Sequence, residues 1–153
     1  MLRTSQAHLG AGALRPAKNF CFGCGSDNPH GMHLKFVLDE KNRRYVCRFR
    51  LSNRYLGPPG HAHGGIIATI LDEAMSKANK LRQVVAMTAV MKIEFLKPVP
   101  LGELLIAEGR PVRARGRICL NAAEIRNSAG AVLARARGKF IVIDPERLSR
   151  MLK

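Results

Sequence analysis

No apolar run in this sequence approaches the roughly 18 residues that a membrane-spanning helix needs, so a helical membrane protein is excluded. Cysteine is scarce. Cys21, Cys24, Cys47 and Cys119 are too few for a disulfide scaffold in 153 residues, and a reducing compartment is the default. Tryptophan is absent and aromatics make up 5% of the chain, yet hydrophobic residues reach 46%. That is enough for one folded domain with a proper core, not a disordered chain. Acids are few as well: 11 Asp and Glu stand against 26 Lys and Arg, a net charge of +15. Such a surface attracts polyanions, whether nucleic acid, an anionic membrane or a nucleotide-bearing cofactor, unless it is simply solvated. No phosphate-binding loop, Ser-His-Asp order, dinucleotide fingerprint or separate helix-turn-helix segment is visible. Neither nucleic acid nor membrane is therefore the expected partner.

Residues 1–18 contain Arg3, Arg15 and Lys18 and no acid, and read as a flexible basic tail. The expected location is cytoplasmic, or mitochondrial if that stretch is a targeting segment. Residues 19–143 read as the folded domain and residues 144–153 as a C-terminal tail. His33–Glu40 and Arg43–Leu51 are expected to pair as strands around the turn Glu40-Lys41-Asn42. Tyr45, Cys47, Phe49 and Leu51 share one face of the second, at the period of two of a half-buried strand.

Gly57-Pro58-Pro59-Gly60 then breaks the chain, and one long helix is expected over about Gly64–Leu81. Its apolar stripe is Ile66, Ile67, Ile70, Leu71, Ala74, Met75 and Ala78. The opposite face carries Gly65, Ala68, Thr69, Asp72 and Ser76, small enough to admit something closely. Val84–Lys97, Glu103–Arg115, Arg117–Arg126 and Ala131–Ile143 read as further strands, with turns at Gly116 and Asn127–Gly130. The fold class is α+β: one long helix wrapped by an antiparallel sheet of about six strands. Six strands offer more face than one helix covers, so dimerisation is expected.

The chemistry concentrates in Gly60-His61-Ala62-His63-Gly64-Gly65 and the helix that follows. A helix start leaves backbone N–H groups unpaired and partially positive, and glycine lets a ligand oxygen reach them. A carbonyl docked there would be polarised and an oxyanion stabilised. Asp72 stands eight residues after Gly64, about 12 Å of helix axis, too far to flank the same carbon in one chain. An antiparallel neighbouring helix would bring a second Asp72 beside the first Gly64, which predicts a twofold dimer with two sites. A carboxylate among small residues suits a general base or a nucleophile.

The run Gly57–Gly65 leading into Ala68-Thr69-Ile70-Leu71-Asp72-Glu73-Ala74-Met75 resembles the hotdog-fold acyl-CoA thioesterases of the PaaI-like, thioesterase-superfamily-member branch. Cys21-Phe22-Gly23-Cys24-Gly25, Asn28-Pro29, Gly31-Met32 and Phe95-Leu96-Lys97-Pro98-Val99 are similar to other segments of that family, and the resemblance covers roughly Phe20 to Val142. It implies a hydrolase that cleaves acyl-CoA to free acid and coenzyme A. The Gly64 N–H would hold the thioester carbonyl, Asp72 of the other subunit would be the catalytic carboxylate, and Thr88 would help position the water. His63 would orient the loop or touch the thioester oxygen. Gly65, Asn53, Lys97, Arg115 and Arg137 are the expected substrate-binding residues, although Asn53 does not align clearly with the asparagine of some relatives. Glu73 points about 100° away from Asp72 and reads as helix face or interface. Arg113, Arg115 and Arg117, and Arg135, Arg137 and Lys139, alternate as two ladders that could grip the phosphates of coenzyme A. No cofactor is expected beyond the coenzyme A of the substrate, and a homodimer or homotetramer is.

Cys21, Cys24, His30 and His33 make a C-x-x-C…H-x-x-H pattern, but the loop is short for a zinc finger and no metal is expected. Two other readings remain: a non-catalytic acyl-CoA-sensing module, and a hotdog dehydratase using His61 or His63.

Overall fold

The computed structural model describes residues 17–151. The basic N-terminal stretch, apart from Ala17 and Lys18, lies outside the described residues. The elements are β1 (Val37–Asp39), β2 (Arg44–Phe49), α1 (Gly64–Ala78), β3 (Ala86–Phe95), β4 (Leu105–Arg115), β5 (Ile118–Asn127), β6 (Val132–Val142) and α2 (Pro145–Met151). The six strands form one antiparallel sheet in the order β1-β2-β4-β5-β6-β3. β3 therefore ends the sheet with one side unpaired.

Helix α1 lies across one face of the sheet. Ile70, Leu71, Ala74 and Met75 are fully buried against Leu105, Ala107, Ile125, Ala134 and Phe140. Each large side chain withdrawn in this way contributes about 1.5–3 kcal/mol. The approach is close because small residues line the sheet: a Cβ on Gly109 would fall 1.9 Å from the Ala74 carbonyl oxygen. The helix ends in a 3-10 turn, Asn79–Arg82, instead of running on to Leu81 as expected. The buried Asn121 amide donates to Met75 O at 2.9 Å and to Asn79 Oδ1 at 2.8 Å, and Arg82 Nη1 donates to Asn121 Oδ1 at 2.6 Å. A side chain from β5 thus takes up one of the last carbonyls of the helix, that of Met75.

The first expected strand shrinks to three residues, β1. His33 adopts φ 54°, a left-handed conformation that breaks an extended run. The segment expected as a C-terminal tail holds α2, whose start is secured by Asp144 Oδ1 accepting from the Glu146 N–H at 3.0 Å.

The sheet face away from α1 carries a set of ion pairs. Arg44 pairs with Asp39 and Glu108, Arg126 with Glu108 and Glu124, and Arg135 with Glu94. The Arg135 guanidinium holds the Glu94 carboxyl below its usual range. Unpartnered apolar surface is found instead along β3, where Met87, Val90 and Phe95 are each more than half exposed.

Candidate active site

The loop before α1 is fixed by backbone bonds. Leu56 bridges Ala62, His61 bridges Pro100, and His63 N–H donates to Tyr55 O at 2.9 Å. Glycine is required at position 57, where a Cβ would fall 2.6 Å from His63 Cα. His63 caps the helix: its Nδ1 accepts from the Gly65 N–H at 2.9 Å. Its proton therefore sits on Nε2, and the Gly65 N–H is already used.

Gly64 differs. Among the described residues its N–H donates to no protein acceptor, while the Ile66 and Ile67 N–H groups turn back to His63 O. A Cβ on Gly64 would meet Phe95 at 3.7 Å, an ordinary contact. The helix mouth thus offers one backbone donor without a protein acceptor, beside the Phe95 ring, the kind of group an oxyanion can use.

Two turns along, Asp72 is half-buried on the small-residue face, and the Thr88 hydroxyl donates to its Oδ1 at 2.7 Å. β3 lies alongside this face. Thr88 pairs with Phe140 and Phe95 with Ala134, whose side chains face the helix. The strand therefore touches α1 at both functional ends, Thr88 at Asp72 and Phe95 at Gly64. In one copy the two ends stay apart and form an open edge. A hollow of about 680 Å³ lies elsewhere. It sits between α2 and the ends of β3 and β6, with Arg117, Arg147 and Arg150 beside Val85, Val142 and Ile143. Arg147 and Arg150 had no signal in the sequence, because α2 was read as a tail.

The other expected residues are scattered. Asn53 opens the 3-10 turn whose Tyr55 anchors His63. Lys97 is exposed just beyond Phe95, its N–H held by Leu133 O at 2.9 Å. Arg137 and Arg115 lie on the sheet face away from α1, opposite Ala122 and Ile118 in register, and are not brought to Asp72. Arg117 leaves its expected ladder: it sits in the β4–β5 turn and donates to Val142 O at 3.1 Å. The expected alternation also slips at a bulge between Pro111 and Arg113.

Cys21 and Cys24 meet α1 next to Asp72. Cys21 Sγ donates to Glu73 Oε1 at 3.1 Å, and Lys77 Nζ donates to Cys24 Sγ at 3.0 Å. Burial pushes the Cys24 thiol up from its usual range, with Lys77 pulling against this and Glu73 adding to it. Burial lowers Lys77, but its contacts with Cys24 and Glu73 outweigh that and leave it raised. Donor atoms of Cys21, Cys24 and Glu73 lie within 4.8 Å of one another, a group that could hold a metal. His30 and His33 do not join it, and the His33 ring contacts Asn28 O instead.

One long helix wrapped on a single side by a six-stranded antiparallel sheet, with a free glycine amide at the helix mouth, defines the class as a hotdog-fold protein. Residues 59–134, about half the chain, match the thioesterase superfamily model. The acyl-coenzyme A thioesterase THEM4 of Xenopus laevis is 31% identical over 116 residues, 75% of this chain and 52% of that protein. A crystal structure of a thioesterase superfamily protein matches with a TM-score of 0.73 at 30% identity, covering 76% of this chain and 60% of the other. The Escherichia coli PaaI protein of the phenylacetic acid degradation operon shares the fold, with a TM-score of 0.65 at 21% identity, over 72% of this chain and 80% of its own. The chain belongs to the thioesterase superfamily. It spans about half the length of the curated relatives it matches.

Proposed function

We propose that this chain is an acyl-CoA thioesterase whose site is shared by two copies, the Gly64 amide coming from one and Asp72 from the other. The single observation that carries this reading is the free Gly64 N–H at one end of β3 and the Thr88-held carboxylate of Asp72 at the other. An antiparallel pairing of β3 with its own copy, centred near the middle of the strand, sets the Thr88 end of one against the Phe95 end of the other. Asp72 then faces the partner's helix mouth. The same pairing covers a ten-residue edge strand with exposed apolar side chains, an association hazard if left open. The similarity to the acyl-coenzyme A thioesterase relatives supports the substrate class.

The mechanism follows from the donors and acceptors. The thioester carbonyl oxygen accepts from the Gly64 N–H, and the partial positive charge of the helix start stabilises the developing oxyanion. Thr88 holds one oxygen of Asp72, which leaves the other to take a proton from the attacking water. Collapse of the tetrahedral adduct expels the coenzyme A thiolate. His63 orients the loop as its cap, and Gly65, whose missing Cβ lets the His63 ring close onto its N–H, has no donor left for substrate. Asn53 and Lys97, near the helix mouth, are the proposed contacts to the coenzyme A portion, whereas Arg115 and Arg137 lie on the far sheet face and are not assigned to this site; no further cofactor is proposed. The homodimer is the smallest active unit, and a homotetramer is two of them. Among the described residues no helix is long and apolar enough to cross a membrane, and the free cysteines suit a cytoplasmic setting.

Subunit complementation tests this. Asp72→Asn and Gly64→Val variants are each expected to be inactive toward acyl-CoA. Mixed and re-associated, random pairing gives half heterodimers with one intact site of two, so about a quarter of wild-type activity should return. No recovery despite proven heterodimers would refute the shared site.

A further inference from the structure

We propose that Cys21 and Cys24 are a redox-modifiable thiol pair, converted to an internal disulfide by a low-molecular-weight disulfide, with Lys77 and Glu73 managing charge and proton. The site lies outside the hydrolytic machinery and does not rest on it. Its two cysteines sit on one turn, closed by the Gly25 N–H donating to Cys21 O at 2.8 Å. The two sulfurs lie within 4.8 Å of each other, and a disulfide needs about 2.05 Å, so side-chain rotation with a modest closure of the turn is required. Both are half-buried and accessible, whereas Cys47 and Cys119 are 1% and 2% exposed.

The surrounding groups match thiol–disulfide exchange better than metal binding. Tetrahedral zinc takes four ligands, and the cluster presents three. The Lys77 ammonium already stands where a cation would, 3.0 Å from Cys24 Sγ and 3.9 Å from Glu73 Oε2. Burial disfavours a thiolate at Cys24 and the Lys77 ammonium at 3.0 Å offsets part of that, while the Cys21 proton has an acceptor in Glu73 at 3.1 Å. In the first step the Cys24 thiolate attacks one sulfur of the small disulfide and expels its partner as a thiolate, leaving a mixed disulfide. In the second, Cys21 passes its proton to Glu73, attacks the Cys24 sulfur and expels the second small thiolate. The Glu73 proton and one from solvent neutralise the two leaving thiolates. Two protein thiols and one disulfide thus become one protein disulfide and two small thiols.

The experiment uses the full chain, reduced, then exposed to oxidised glutathione, quenched by alkylation and read by intact and peptide mass. The expected product has lost two hydrogens, with Cys21 and Cys24 joined and protected from alkylation. Cys21→Ser should stop at the mixed disulfide on Cys24. Lys77→Met should slow the first step by about three- to tenfold, since the Cys24 thiolate loses its neighbouring cation, partly offset by higher nucleophilicity. Retention of both thiols under conditions that oxidise a free Cys-x-x-Cys peptide would overturn the proposal. So would stoichiometric zinc binding at this pair in an anaerobic titration, or a Lys77→Met rate equal to wild type.

Discussion

Asp72, Thr88 and Gly64 each admit a substitution that separates chemistry from folding. Asp72→Asn keeps the volume and removes the carboxylate proposed as base or nucleophile, so turnover of acyl-CoA should fall at least about a hundredfold with little change in Tm. Thr88→Val deletes one charge-assisted hydrogen bond to Asp72, worth about 1.5 kcal/mol, so kcat should fall about tenfold while the carboxylate remains. Gly64→Ala is the most discriminating. Its new Cβ meets Phe95 at an ordinary 3.7 Å, so thermal melting should be unchanged, and a drop in activity would report space needed by the substrate. The attack itself is read by a single turnover in ¹⁸O-water. Unlabelled product acid with label retained in the Asp72 carboxylate would make Asp72 the nucleophile, whereas label in the product without any trapped acyl-enzyme is the outcome expected of a base.

Among the elements, α1 decides most, because it carries the helix mouth, the carboxylate and the core stripe. His63→Ala removes the cap on Gly65 and should cost about 1 kcal/mol, seen as a lower Tm. His63→Asn restores a cap and should recover most of that loss; full activity in this variant would confine His63 to positioning. The seat of α1 on β4 is tighter still. Gly109→Ala forces a Cβ into the Ala74 carbonyl and should destabilise by about 1–3 kcal/mol, lowering the denaturant midpoint.

Over the whole molecule, the proposed pairing of the open side of β3 would link assembly to activity. Val90 is 55% exposed in one copy, so Val90→Arg should cost a single chain little. If β3 pairs with its copy, the added charge weakens the dimer, and sedimentation and turnover should fall together as the protein is diluted. A Val90→Arg protein that sediments as a monomer yet keeps full turnover would refute the shared site.

Helical and strand periodicity in the sequence by itself determined α1, the long strands β3 to β6 and their turns, because side-chain period depends on local backbone geometry alone. The His63-Gly64-Gly65 start and Asp72 were legible for the same reason: both follow from where a helix begins and which residues share its face. Other features had no local signature. Which glycine amide is free was decided by the His63 ring folding back onto Gly65, and the end of α1 by Asn121 reaching across from β5. The Thr88–Asp72 bond, the Cys21–Glu73 and Lys77–Cys24 contacts, and the removal of Arg117 from its ladder all join residues 16 to 53 positions apart. Contacts of that kind arise only when packing brings distant backbone together, and only the tertiary structure fixes them.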